Sequence, residues 1–488
     1  MLPNVRVSIA EEVTQNVSTF NTFLPLAILK TKTGPIGTEV LVNSTRAFTN
    51  TFGTPDASTP EAFGLYQYIK NYGQAYVVRV ASSSAAEATA TITSGSGAGA
   101  IELISIESVY KTDELNGKDV SLVYDSTNNK LYISFTYGDT VINSIKETIN
   151  YSTAKADDLE AALDKIIGSF NEAQNYLVLE NEFTEKTSED DKPAAFTELK
   201  GTLTGGVNGN TSITDETVNT LIEKYRGSDL GIDAILAPGF ESATVINKLA
   251  AVAKDSSFIA IASLSGNATS IVAATNSIVA NASLALYADK VKLVEDTSIE
   301  VPACIAVLPA YITRNQSSKW LAPAGVTRGT LAFVASTVNS FGDSDLETLY
   351  LNTIPVNGLK KISGRGYIVW GQKTADQDSS QYQDRINVVR LCKYLTKEIY
   401  NISYDYLFEP ITEYTYNAWT LRVESILDEV EAGSGLSAYK VIMDDTINTE
   451  ETKKANKLIG IVRFKPLEAA EYIEIEFVVT DNVEGGNQ

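Results

Sequence analysis

The chain has 488 residues, 44% of them hydrophobic, with 61 acidic and 39 basic side chains for a formal net charge of −22. This length and apolar content predict two to four globular domains, and the negative charge argues against binding to nucleic acid or insertion into anionic membranes, so proteins are the expected partners. Because histidine is absent, Ser-His-Asp catalysis and His-ligated zinc are excluded, and we expect no catalytic residue, cofactor or metal.

Residues 1–19 are predicted to form an N-terminal linking arm. The stretch "NVRVSI" alternates apolar and polar residues with the period of a strand. It is separate from the next apolar run at 23–29, and it reads as a strand rather than a secretory signal. Such a strand can pair within its own domain or with a neighbouring chain. Its candidate pairing residues are Val5, Arg6, Val7, Ser8 and Ile9.

Residues 20–88 are predicted to form the N-terminal part of the core, a small α+β domain. A helix is expected near 60–72 and an apolar strand at 75–80. Residues 89–205 are predicted to be an inserted β-rich domain, with a strand at 130–137 and a helix near 157–170. The glycine-rich "GSGAGA" at 95–100 fits a flexible linker better than a dinucleotide loop.

Residues 206–375 alternate between helix and strand signals and predict an α/β core domain. Thr214 is a candidate N-cap before an acidic first turn, and apolar residues then recur with helical spacing up to Gly227. A strand at 232–239, a helix at 242–254 and a strand at 258–264 follow. This order implies a parallel sheet flanked by helices.

Residues 376–488 are predicted to form a C-terminal α+β domain that ends in an arm. A helix near 384–404 has an apolar stripe, and Arg390, Lys393 and Lys397 share a neighbouring face at spacings of three and four. This basic face is either solvated or placed against an acidic partner surface. Strands are expected at 459–466 and 472–480, and their candidate pairing residues are Ile461, Arg463, Ile473, Ile475 and Phe477.

A succession of short motifs in the last 290 residues or so resembles contractile tail sheath proteins of phages and related bacterial injection particles. No motif is specific alone, and the resemblance depends on their order between about 200 and 480. The motifs are "TLTGGVNG" at 202–209, "LAPG" at 236–239, "APAGVTRG" at 322–329, "YIVWG" at 367–371, "RINVVRL" at 385–391, "FEP" at 408–410, "VIMDD" at 441–445 and "IVRFKPLEAAEYIEIEF" at 461–477.

The resemblance implies a multidomain α/β and α+β fold: an α/β sheath core, an inserted β-rich domain and a C-terminal α+β domain with intersubunit strands. It implies a structural subunit, not an enzyme, that polymerises around a tail tube and contracts without ATP to drive the tube through a cell envelope. The implied partners are further copies of the chain, the tail tube protein, and baseplate and tail terminator proteins. The implied location is a virion tail or a related particle, assembled in the bacterial cytoplasm.

The resemblance also suggests roles for the basic residues. Arg390, Lys393 and Lys397 become candidates for facing the tube, and Arg328 is either an intersubunit contact or a partner for a carboxylate of its own subunit. Trp320 is expected to anchor the turn that presents Arg328. A self-assembling surface-layer or adhesin-type protein is the alternative function, because such proteins are also large, acidic and poor in cysteine.

Overall fold

The structure is a computed structural model that describes residues 23–95, 100–137, 140–143, 146–183, 192–312, 319–376 and 383–471. The strands, in chain order, are β1 (Pro25–Leu29), β2 (Glu39–Val42), β3 (Ala75–Arg79), β4 (Thr89–Ser94), β5 (Ile101–Ser108), β6 (Asp119–Asp125), β7 (Lys130–Tyr137), β8 (Thr140–Asn143), β9 (Glu147–Thr148), β10 (Leu177–Asn181), β11 (Glu198–Thr202), β12 (Ala234–Leu236), β13 (Ile259–Leu264), β14 (Leu284–Ala288), β15 (Lys290–Leu293), β16 (Glu300–Pro302), β17 (Val334–Thr337), β18 (Gly358–Ile362), β19 (Gly366–Trp370), β20 (Leu436–Ile442) and β21 (Ile461–Pro466). The helices are α1 (Thr45–Phe52), α2 (Pro60–Tyr72), α3 (Ala156–Ala173), α4 (Asp215–Glu223), α5 (Ala243–Lys254), α6 (Ala268–Thr275), α7 (Ala303–Ala306), α8 (Leu308–Tyr311), α9 (Gly325–Arg328), α10 (Asp343–Tyr350), α11 (Ile386–Tyr404), α12 (Glu413–Ala432) and α13 (Glu450–Lys454).

A six-stranded sheet in the order β14-β13-β12-β1-β3-β2 forms the core. All its pairs are parallel except the edge pair of β2 with β3. Every residue of β1, β13 and β14 is buried, as expected for parallel strands covered on both faces. The predicted parallel α/β sheet is therefore confirmed, and strands from before residue 88 and after residue 206 complete one sheet.

Two hydrophobic clusters cover the two faces of this sheet. One cluster includes residues of α1, α2, α7 and α8, and the other includes residues of α4 and α5. Side-chain hydrogen bonds at the N-terminus define where two of these helices, α4 and α5, begin. The Thr214 side chain accepts a hydrogen bond from the Thr217 amide, and Ser242 accepts one from Val245, as N-caps do. The N-cap predicted at Thr214 is confirmed.

Residues 88–203 have a hydrophobic cluster of their own. It lies between α3 and two antiparallel sheets, one in the order β10-β5-β4 and the other containing β11, β6, β7, β8 and β9. Val120, Leu122 and Tyr124 alternate along β6 and lie in this cluster, so one face of that strand is buried in it. This is the pattern of antiparallel sheets that face solvent on one side.

The C-terminal part is built on the long helices α11 and α12 together with the two-stranded antiparallel sheet β20-β21. Their shared core contains Trp320, Leu391, Leu395, Trp419 and Val423. Trp320 is 2% exposed and its indole nitrogen donates to the Gly433 carbonyl at 2.9 Å. The tryptophan thereby joins the segment before α9 to the end of α12. Within the described residues, no helix is long and apolar enough to cross a membrane.

Candidate intersubunit surface

The β20-β21 hairpin has two chemically different faces. Tyr439 lies opposite Phe464 and Val441 opposite Val462, and these four side chains pack on the C-terminal core. On the other face, Lys440 lies opposite Arg463 and Ala438 opposite Lys465, and all four of these are exposed. The hairpin therefore buries an apolar face and presents a basic one, although the chain as a whole is acidic.

Each strand of this hairpin has one neighbour within the described residues, so its outer edge is open there. An open edge offers backbone N–H and C=O groups to an additional strand. Of the predicted intersubunit residues, Ile461 and Arg463 lie in β21. Val5, Arg6, Val7, Ser8, Ile9, Ile473, Ile475 and Phe477 lie outside the described residues.

Glu471, where the last described segment ends, is held by four hydrogen bonds to the core. Arg385 donates through Nε at 2.6 Å and through Nη2 at 3.1 Å. The Tyr350 hydroxyl donates at 3.0 Å and the Gln372 amide at 3.1 Å. Glu471 and Arg385 are only 17% and 27% exposed. This clamp fixes the point from which the C-terminal segment continues.

Lys373 contacts the clamp through Tyr350 and not through Glu471. The Lys373 ammonium donates to the Tyr350 carbonyl at 3.1 Å and lies 4.5 Å from the centre of the Tyr350 ring. Burial lowers its pKa. Arg385 makes a bidentate contact with the Glu471 carboxylate, which suits a guanidinium, and no local sequence signal indicated this pairing with a residue 86 positions away.

The structure corrects the expectation that Arg390 lies on an exposed basic face. Arg390 is 8% exposed, and its guanidinium donates to the Tyr311 carbonyl at 2.9 Å. It also lies 5.1 Å from the centre of the Tyr311 ring and 5.8 Å from that of Phe23. Burial lowers its pKa. Arg390 therefore joins α11 to the core, and its charged group is covered within the subunit.

Lys393 is also engaged within the subunit. Its ammonium donates to the carbonyls of Ala253, Lys254 and Ser256 at 2.7, 3.0 and 2.6 Å, which places a positive charge at the C-terminus of α5, where the helix dipole favours it. Burial lowers the pKa of Lys393 to about 8. Lys397 is half-buried, and its predicted contact with a tube stays a prediction.

Arg328 ends α9 and is exposed, as the turn chemistry predicts. Its Nε donates to the Ala322 carbonyl at 2.8 Å. It lines an open groove of about 660 Å³ that Glu347, Trp370 and residues 467–471 also line. The intersubunit and internal roles of Arg328 both remain predictions.

A surface that the sequence analysis missed lies at the junction of α11 and α12. Tyr400 and Tyr404 are each more than 60% exposed, with ring centres 6.2 Å apart. Leu407, Phe408 and Tyr414 are also exposed, and Phe408 has a positive φ of 68°, which is unusual for an aromatic residue. Exposed apolar side chains that lie close together in the chain make this junction a candidate protein contact surface. The four-residue spacing of the two tyrosines was the available signal.

The two thiols are poorly suited to nucleophilic chemistry. Burial raises the pKa of Cys304 to about 12 and that of Cys392 to about 11, and the thiolate is the reactive form. Within the described part of the chain, no group of three or more acidic or cysteine side chains is placed to hold a metal ion.

The fold is that of contractile sheath proteins. The sheath tail protein of Desulfitobacterium hafniense is similar over 96% of this chain and 100% of its own, with a TM-score of 0.61 at 10% identity. The sheath tail protein of Listeria innocua is similar over 92% of this chain and 96% of its own, with a TM-score of 0.59 at 10% identity. A chain of the PVC sheath complex, an extracellular contractile injection system in its contracted state, is similar over 99% of this chain and 98% of its own. Its TM-score is 0.56 at 15% identity.

Sequence similarity leads to tail sheath proteins as well. That of Vibrio phage KVP40 is 31% identical over 176 residues, which are 36% of this chain and 26% of the relative. That of Enterobacteria phage T4 is 32% identical over 169 residues, 34% of this chain and 25% of the relative. The matched region thus spans about a quarter of these curated relatives, and no family model matches the chain. The predicted resemblance to the contractile tail sheath family is confirmed.

Proposed function

We propose that this chain is the structural subunit of a contractile tail sheath. Copies polymerise around a tail tube, and a change between two sets of subunit contacts shortens the sheath and drives the tube through a cell envelope. The observation that carries the proposal is a sheath fold with an open, two-faced hairpin in its C-terminal part. Rigid-body rotation between two packed states can perform mechanical work without a nucleotide.

Strand exchange is the contact that keeps the subunits joined while they rotate. The N-terminal strand of one copy and the C-terminal strand of another add to the β20-β21 hairpin of a third, by β-augmentation. About five ladder hydrogen bonds at roughly 0.5 to 1.5 kcal/mol each give a few kcal/mol per strand. Repetition along a polymer makes such a contact strong.

The further partners follow from the same role. A chain of the anti-feeding prophage baseplate is similar over 98% of this chain, with a TM-score of 0.55 at 15% identity, which supports contact with a baseplate. The tail tube and a tail terminator protein complete the proposed set. The particle is a virion tail or a related injection device assembled in the host cytoplasm.

The proposed role is mechanical and not enzymatic. Histidine is absent from the sequence, and the thiol pKa values are raised by burial. These observations support the expectation that the purified protein hydrolyses neither nucleotides nor peptides.

Electron microscopy of the purified protein tests the proposal. A sheath subunit assembles into hollow tubes of one fixed diameter, without added nucleotide. Flat lattices would instead indicate a surface-layer protein, and persistent monomers under conditions that promote polymerisation would contradict both functions.

A further inference from the structure

We infer that the junction of α11 and α12 in one copy docks on the basic face of the β20-β21 hairpin of a second copy. The contact rests on the proposed polymerisation. It is distinct from strand exchange, because it uses the side chains on one face of the hairpin and not the backbone groups at its edges. Both surfaces lie within the described residues.

The basic face of the hairpin has no carboxylate partner in its own subunit. Lys440 lies opposite Arg463, and Lys465 follows two residues later on the same side of β21. All three are exposed, and no ion pair joins any of them to a carboxylate within the described residues. Lys440 contributes to the lowered pKa of Asp444, behind the larger effect of hydrogen bonds from Thr446. The face is therefore positively charged and open to a partner.

The junction of the same subunit lies on the wrong side of the hairpin to be that partner. Tyr439, Val441, Val462 and Phe464 pack on the core that α11 and α12 form. Successive side chains of a strand point to opposite sides, so the basic side chains point away from these two helices. A contact with the junction therefore requires a second molecule.

The junction is acidic as well as aromatic. Residues 404–414 contain three carboxylates and no lysine or arginine. Asp405 is paired with Arg422 at 2.8 Å, whereas Glu409 and Glu413 are exposed and have no ion pair within the described residues. The exposed tyrosine rings add to this charge, because the face of an aromatic ring attracts ammonium and guanidinium groups. The junction thus matches a surface of lysine and arginine.

Phe408 supplies an apolar anchor for this contact. Its side chain is fully exposed, and its φ of 68° is a strained value for a residue with a side chain. The turn is held by the Thr415 hydroxyl, which donates to the Pro410 carbonyl at 2.6 Å. Strain that keeps an aromatic ring in water is a sign of function. On the hairpin, the small exposed side chain of Ala438, opposite Lys465, leaves room for a ring.

The geometry of such a contact suits a polymer. The junction and the basic face are different surfaces of the same chain, so each copy can use its junction on one neighbour and its hairpin on another. Contacts of this heterologous kind form rings or open helical assemblies, whereas a self-complementary surface closes into a dimer.

A charge-swap experiment on the full-length chain tests the contact. Reversal of the hairpin charges (Lys440→Glu with Arg463→Glu) and of the junction charges (Glu409→Lys with Glu413→Lys) should each raise the protein concentration needed for tube formation about tenfold or more. The combined four-residue variant should restore assembly to near the original level. Roughly 1 M salt should narrow the differences, because screening shortens the range of charge interactions to about 3 Å.

The substitution Phe408→Asn tests the anchor without depending on charge. Asparagine accepts a positive φ better than phenylalanine does, so the melting temperature should stay the same or rise. The concentration needed for tube formation should nevertheless increase severalfold, because the ring is lost. A fall in melting temperature, or tubes at the original concentration, would contradict the role of Phe408 between copies.

The matched control reverses two exposed lysines outside the hairpin, Lys454→Glu with Lys457→Glu, and should leave assembly unchanged. Circular dichroism and thermal denaturation show whether each variant is folded. Normal tubes from either reversal alone would overturn the inference. Loss of tubes that the combined variant does not restore would also overturn it, and would assign the junction to another partner, such as the tail tube. Absence of tubes from the unmodified protein would instead remove the proposed function.

Discussion

The Glu471 clamp should respond sharply to the loss of one charge. The substitution Glu471→Gln keeps the size and shape of the side chain, but it replaces one acceptor oxygen with a donor and removes the charge that Arg385 faces. Glu468→Gln is the matched control, because Glu468 is exposed and lies three residues away in the same segment. Both substitutions change the net charge of the chain equally.

The expected loss of stabilisation follows from the contacts of Glu471. Glu471 accepts four hydrogen bonds, two of them from a guanidinium, and one such charged bond contributes about 1.5 to 3 kcal/mol. The remaining exposure of both partners, and the second carboxylate that Arg385 contacts at Asp384, reduce the loss. We expect Glu471→Gln to remove about 2 kcal/mol of the clamp's stabilisation, which shifts the opening equilibrium of residues 467–471 roughly 30-fold.

Hydrogen–deuterium exchange followed by mass spectrometry measures this opening. Amides of residues 467–471 should exchange about 30-fold faster in Glu471→Gln than in the unmodified chain, and at the original rate in Glu468→Gln. Peptides from the central sheet should be unaffected in both variants, because the change is local. Equal exchange of residues 467–471 in the two variants would refute the clamp.

Two further substitutions test the contacts of α11. Arg390→Glu should lower the free energy of unfolding by about 3 to 5 kcal/mol in chemical denaturation, since it buries an unpaired carboxylate. Lys397→Glu on the same helix is the control and should change the free energy of unfolding little. Equal effects of the two substitutions would contradict the buried position of Arg390. Burial lowers the pKa of Lys393 in the folded chain to about 8, below its ordinary 10.5. Between these two pH values the unfolded chain therefore binds more protons than the folded chain. The contribution of Lys393 to the free energy of unfolding should rise with pH through that window. The unfolding free energy of the unmodified chain relative to Lys393→Met should therefore rise from pH 8 to pH 10, and a constant difference would contradict the shifted pKa.

Local periodicity was sufficient to predict the separate elements of the core. The apolar run at 258–264 became a fully buried strand, and Thr214 capped the helix that its neighbours predicted. The order of the sheet was not available from the sequence. β1 lies between β3 and β12, and the pairing of β1 with β12 joins residues about 200 positions apart, which no local pattern specifies.

The surroundings of the site residues also depend on contacts between residues that are distant in sequence. Helical spacing correctly placed Leu391 and Leu395 in the core, and it gave Arg390 a neighbouring face. That face is covered by Phe23 and Tyr311, which are distant in sequence, so exposure could not be inferred from α11 alone. Glu471 had no distinguishing pattern, because a clamp assembled from α10, the end of β19 and the start of α11 exists only after folding.

Exchange of terminal strands between copies is the central claim, and deletion of residues 1–12 tests it most directly. The truncated and full-length proteins would be compared by electron microscopy and thermal denaturation under identical conditions. We predict a soluble monomer that keeps the melting temperature of the full-length chain and forms no tubes, because the proposed exchange pairs the deleted strand with a neighbour's sheet and not with its own subunit. Ordered tubes from the truncated protein would contradict the account, as would a clear fall in melting temperature, which would mean that the strand pairs within its own subunit.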